Sequence, residues 1–124
     1  MNGLKVFITG VCFFIYFSFS SLAYACSLDS LFVKSNDVIT EIYVEVADTP
    51  QSRKQGLMYR DQLAPLSGMF FIFDKPQKVQ FWMKNTSISL DMIFINRNGV
   101  VEKVIERTIP YSQNLIYGGS DIQY

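Results

Sequence analysis

The stretch Glu41-Ile42-Tyr43-Val44-Glu45-Val46 decides the fold class. Ile42, Val44 and Val46 fall on one side and Glu41, Tyr43 and Glu45 on the other, the two-residue period of a strand with one face against a core. Just beyond it, Asp48-Thr49-Pro50 carries a helix start. Thr49 supplies a cap oxygen, and Pro50 suits the first turn, where its missing N–H costs nothing. The helix is expected to run from Pro50 to about Gln55, with Gly56 ending it and Leu57-Met58 returning the chain to the core. Residues 60–68 hold Pro65 and Gly68 too close together for a long element and read as loop.

Working outward, three short apolar runs follow at 69–73, 79–83 and 90–95, each rich in aromatic or β-branched residues and bounded by turn formers. Each predicts a strand. The last is apolar on both alternating faces except at Asp91, so it is expected to be covered on both sides. Arg97-Asn98-Gly99 is a hairpin signal, predicting a tight two-residue turn with positive φ angles and a returning strand over 100–105. From Arg107, the residues Pro110, Asn114, Gly118 and Gly119 predict a long loop, closing on Asp121-Ile122-Gln123-Tyr124 as the beginning of a strand. About six strands and one short helix predict a mainly β fold, a small antiparallel sandwich or open barrel.

The other direction leads to the N-terminus. Met1-Asn2-Gly3-Leu4-Lys5 places one positive charge before an uncharged, phenylalanine-rich run over 6–27 that reaches Ala23-Tyr24-Ala25. This is the polarity of a cleaved secretory signal over 1–25. A transmembrane anchor fits less well, because Ser18, Ser20 and Ser21 dilute the last third of the run. Residues 26–37 have no period and are expected to be a flexible lead-in, leaving 38–124 as a single β-rich domain. Export to the periplasm or the medium follows as an expectation.

Composition removes whole classes of function. Losing Lys5 with the signal takes the formal charge from zero to −1, with both signs scattered, so no basic stripe is available for nucleic acid. The chain has no histidine, which excludes serine and cysteine hydrolase triads and histidine-ligated zinc. Its two cysteines are Cys12, inside the signal, and Cys26, so the exported domain can form neither an internal disulfide nor a thiolate cage. Cys26 is a candidate for lipidation, the one route by which a membrane becomes a partner, although Leu22 and Tyr24 fit such a site poorly. No glycine-rich phosphate loop is present, and no cofactor is expected.

What remains is a set of polar residues inside or beside apolar strands: Arg60, Trp82, Lys84, Asn85, Thr86 and Asp91. A charge flanked by such runs is costly to bury unless paired, making Lys84 and Asp91 candidate partners. They either line a polar pocket beside Trp82 or brace a turn, with Asn85 and Thr86 bonding local backbone. Met58, Met69, Met83 and Met92 admit a soft Cu(I) site, but the strand positions of Met69, Met83 and Met92 favour a place in the core.

Three strings carry a family resemblance: Arg53-Lys54-Gln55-Gly56-Leu57-Met58-Tyr59-Arg60, Gly68-Met69-Phe70-Phe71-Ile72-Phe73, and Phe81-Trp82-Met83-Lys84-Asn85-Thr86 running on to Leu90-Asp91. The chain resembles the family catalogued as domain of unknown function 192 over roughly residues 41–110. The resemblance implies a small, mainly β, sandwich-like domain, often exported in bacteria, with no established activity. It also implies a further strand similar to Tyr-Val-Leu-Glu, so that a chain ending at Tyr124 is expected to be truncated relative to the family, with an open edge.

Taken together, the sequence points to an exported, non-catalytic module of the cell envelope that binds a small ligand or an envelope protein. Two alternatives stand beside it. One is an envelope enzyme using Asp91 with Lys84 or Arg60, for which Asp61 is the nearest second carboxylate. The other is a structural or interaction protein anchored through a lipid on Cys26.

Overall fold

The computed structural model describes residues 29–124. The signal sequence, the lipidation candidate Cys26 and the first part of the expected lead-in lie outside the described residues. The order of elements is β1 (Asp29–Ser35), β2 (Val38–Ala47), α1 (Pro50–Gln55), β3 (Ser67–Phe71), β4 (Gln77–Phe81), β5 (Met92–Ile95), β6 (Val101–Ile105) and β7 (Ile116–Ile122). The fold is mainly β, with one short helix. Among the described residues the strands form three small sheets, β1-β2-β3, β4-β7 and β5-β6, and no closed barrel.

Five expectations are corrected. From Asp29 onward the lead-in is a strand, β1, paired antiparallel with β2 from Asp29↔Val44 to Ser35↔Val38. Its period was hidden because apolar Phe32 points outward, 63% exposed, between inward Leu31 and Val33. Secondly, the sheets are not all antiparallel: β2 and β3 run parallel, in register from Tyr43↔Ser67 to Ala47↔Phe71. The long connection through α1 permits this, since parallel neighbours need a crossover. Thirdly, β5 is not covered on both faces. Phe94 is buried, but Ile93 and its cross-strand partner Val104 are both exposed.

Fourthly, the β5–β6 turn is longer than two residues. Asn96 N–H donates to Val100 O at 2.9 Å, enclosing three residues, of which Gly99 alone has positive φ, at 77°. The Asn96 Oδ1 accepts from the backbone N–H groups of Asn98 and Val100, which fixes the turn from inside. Fifthly, the expected C-terminal loop contains a seventh strand, β7, antiparallel to β4. Gly118 lies there because a Cβ would stand 2.2 Å from the Phe94 ring, and Gly119 takes φ 153° where the ladder slips between Val79 and Gln80.

The helix follows expectation. Thr49 Oγ1 accepts from Ser52 N–H and Ser52 Oγ accepts from Thr49 N–H, both at 3.0 Å, a reciprocal capping box. Pro50 occupies the first turn and Gly56 the C-cap. Arg53 holds the helix to the end of β3: its guanidinium donates to Asp48 O and, at 2.7 Å, to Ile72 O, and lies 5.3 Å from the Phe73 ring centre.

The packed core sits where β4-β7 meets β5-β6. Val79, Phe94 and Ile122 are its centre, with Phe73, Phe81, Met92, Ile105 and Ile116 around them. Residues 122–124 stitch the sheets together. Asn96 bridges Ile122, Ile95 exchanges hydrogen bonds with Tyr124 at 2.9 and 3.0 Å, and Phe73 N–H donates to Gln123 O at 3.0 Å. The Tyr124 ring stacks on Phe70 of β3, centres 5.3 Å apart, which ties the first sheet to this seam.

Candidate functional site

Away from the core, the inner face of β1 and β2 does not meet the opposite wall. Leu31, Val33, Ile42 and Val44 face a deep cleft of about 1250 Å³ whose other sides are α1 with its exit, the 80–86 segment, and β5. The walls are mostly apolar. Met83, 1% exposed, anchors the far side, consistent with methionine as a filler of irregular space.

Five of the six polar residues singled out in the sequence line this cleft: Trp82, Lys84, Asn85, Thr86 and Asp91. The structure divides their work. Asn85, at φ 56°, donates from Nδ2 to the Tyr59 hydroxyl at 2.9 Å, and its carbonyl accepts from Tyr59 N–H at 2.9 Å. Tyr59 is itself at φ 64°. Two bulky or amidic residues in the left-handed region, each bonded to the other, form a cross-brace between the α1 exit and the 82–86 loop. Thr86, buried, donates from Oγ1 to Lys84 O at 3.2 Å and accepts Tyr111 N–H on its carbonyl at 3.0 Å. Thr86 thus bonds local backbone, whereas the Asn85 side chain reaches a side chain distant in sequence.

Lys84 and Asp91 do not pair. Asp91 Oδ1 instead accepts Arg107 N–H at 2.7 Å, fastening the entry of β5 to the exit of β6. The Lys84 ammonium lies over Trp82, 5.1 Å from the ring centre, with both side chains exposed at the cleft mouth. Arg60 belongs elsewhere. Its guanidinium grips Glu45 with two parallel bonds of 2.5 and 2.6 Å beside a separate, smaller cavity of about 470 Å³. The Arg60 hydrogen bond holds the Glu45 carboxyl below the usual carboxylate range, with partial burial working against it and the Arg60 charge adding to it. Through its carbonyl, which accepts from Ser87 Oγ at 2.8 Å, Arg60 still supports the loop that carries the cleft residues.

Sequence reasoning missed the opposite wall and one cation. Ile42 and Val44 were legible as core-facing, but that their face would border a cleft depends on non-local strand pairing. Lys54, exposed on α1, also lines the cleft and gave no signal beyond its place in the helix. Of the described residues lining the cleft, Arg53, Lys54 and Lys84 carry positive side chains, and Asp91 alone carries a negative one.

Fold and site together define a small β domain built around an open apolar cleft with a cationic mouth. The chain belongs to the DUF192 family, described as Uncharacterized ACR, which it matches over residues 31–124. Its fold is similar to that of a protein from Sinorhizobium meliloti 1021 described as "a putative transcription regulator", with 38% identity and a TM-score of 0.72, covering 75% of this chain and 72% of that one. It is also similar to a protein of unknown function from Novosphingobium aromaticivorans DSM 12444, at 26% identity and a TM-score of 0.74, over 82% of this chain and 73% of that one. No curated protein matches the chain.

Proposed function

We propose that this chain is an exported, non-catalytic binding module of the cell envelope whose ligand enters the cleft between the β1-β2-β3 sheet and the 80–86 segment. The observation that carries this is the cleft itself: about 1250 Å³, mostly apolar along its walls, with exposed Lys54, Trp82 and Lys84 among the residues that line it. Small-molecule sites have this composition, and the cleft is somewhat larger than their usual range of roughly 300–1,000 Å³. Export is supported by the signal-like run over residues 6–25.

The enzyme alternative draws less support. Among the described residues Asp91 is the one Asp or Glu side chain lining the cleft, and its Oδ1 accepts the Arg107 N–H. Glycoside hydrolysis ordinarily uses two carboxylates. The regulator description of the S. meliloti relative is not adopted, because DNA affinity rests on rows of phosphate-binding cations, and this chain scatters both signs.

Trp82, the single tryptophan, stands at the cleft mouth and reports on occupancy. Titration of the purified protein with 1-anilinonaphthalene-8-sulfonate is expected to give saturable energy transfer from Trp82, with the thermal transition of the protein unchanged or raised. Absence of transfer, or transfer only on loss of cooperative melting, would contradict the binding reading. Export is checked by the intact mass of protein recovered from the envelope, which is expected to begin at Cys26. Added acyl mass would assign lipidation there, and an uncleaved chain in the cytoplasm would contradict export.

A further inference from the structure

We infer that the cleft takes the hydrocarbon tail of a free, single-chain anionic amphiphile, with its carboxylate at the lysines of the mouth. The inference rests on the cleft being the binding site and names the class of its ligand.

The tail follows from the walls. Ile42, Val44 and Phe70 on one side face Leu57, Phe81 and Met83 on the other, and a polar body placed between them would lose its water without gaining partners. Several polar groups along the walls are already used, and Gln51, Gln55 and Gln80 lie exposed to water. Asn85 is turned to Tyr59, Thr86 to the Lys84 carbonyl, Asp91 to Arg107, and Arg53 to the carbonyls of Asp48 and Ile72. A long apolar ligand therefore satisfies the interior better than a compact polar one.

The head follows from the charges left over. Of the described ionisable side chains lining the cleft, Arg53 and Asp91 bond backbone, while Lys54 and Lys84 have no carboxylate of a described residue within 4.0 Å. Both are exposed, so an anion can meet them without being stripped of all its water. Lys84 rests on the Trp82 ring, which leaves its N–H groups free to turn outward. The net charge at the mouth selects an anion over a cation by simple complementarity.

The test is a titration of the purified protein with decanoate, dodecanoate and tetradecanoate below their micelle-forming concentrations, followed by Trp82 emission and calorimetry. Dodecyltrimethylammonium and anionic phosphatidylglycerol vesicles serve as comparisons. Affinity is expected to rise by roughly fourfold per added methylene, as hydrocarbon burial requires. The ammonium compound is expected to bind at least tenfold more weakly. A Lys54→Gln, Lys84→Gln double variant should weaken dodecanoate by about tenfold and leave dodecanol binding and the melting temperature as they were.

Affinity independent of chain length, equal binding of the ammonium compound, or uptake by vesicles without uptake of free carboxylate would overturn the inference. If the naphthalene sulfonate enters the cleft and no carboxylate does, the ligand class fails while the binding site stands. If neither enters, both fail.

Discussion

On one side of the molecule β4, β5, β6 and β7 close around Val79, Phe94 and Ile122, each no more than 3% exposed. On the other, the β1-β2-β3 sheet stands off from α1 and the 80–86 segment across an open cleft. Both halves are built from the same aliphatic and aromatic residues. They differ in how closely the backbones approach. In the packed half Gly118 lets a strand lie directly against the Phe94 ring, whereas in the other half the sheet is held by separate ties: the Arg60 grip on Glu45 of the central strand, the Arg53 clamp on Ile72 O and the Phe70–Tyr124 stack. Apolar composition therefore supplies material for a core without deciding where the core closes. The half that does not close is available for a ligand.

The sharpest way to break this contrast is to add one methyl group to each half. Gly118→Ala places a Cβ 2.2 Å from a buried aromatic ring, and overpacking of this kind is expected to cost about 3 kcal/mol. Gly68→Ala, at the start of the cleft-side strand β3, has nothing within 4 Å of its new Cβ and should change stability by less than about 0.5 kcal/mol. Urea unfolding of the two variants reads the difference directly. Equal losses would show that the halves are packed alike.

A smaller effect concerns the wall of the cleft. Thr49→Ala removes the cap of α1 and is expected to cost about 1 kcal/mol. Amide exchange should quicken along residues 50–58 and stay slow at Val79 and Phe94. Faster exchange across both halves would mean that they open as one unit.

The smallest effect is electrostatic. Because Arg60 depresses the Glu45 carboxyl in the folded state, the pair adds stability above the usual carboxylate range, and that increment is lost as the pH falls through the depressed value. With both side chains about one-third exposed, the contribution is expected to stay below about 1 kcal/mol after screening by water. Glu45→Gln should therefore flatten the acid limb of the stability profile and leave neutral stability only slightly lower. An unchanged acid limb would remove the pair from the ties of the first sheet.

These two halves were not equally legible in the sequence. The alternation of Ile42, Val44 and Val46 and the Thr49-Pro50 start are local signals, and both elements formed where they were expected, although Val46, expected on the core face, is exposed and Ala47 is buried instead. β1 was missed because Phe32 is apolar on the outer face, which blurs a two-residue period. β7 was missed because Gly118 and Gly119 read as loop, although a glycine inside a strand also marks close approach or a bulge, and here the pair does both. The polar cluster was found, but its internal pairing was not. Lys84 and Asp91 are near in sequence, while the partner that Asp91 takes, Arg107 N–H, comes from a distant turn placed by the β5–β6 ladder.

Mapping by ¹⁵N–¹H chemical shifts tests the division of labour most directly. On titration with dodecanoate, the account predicts perturbations at Leu31, Ile42, Phe70, Trp82 and Lys84, on both walls and the mouth of the cleft, with Val79 and Ile122 unmoved. Shifts centred on Val79 and Ile122, or none anywhere at saturating ligand, would contradict it.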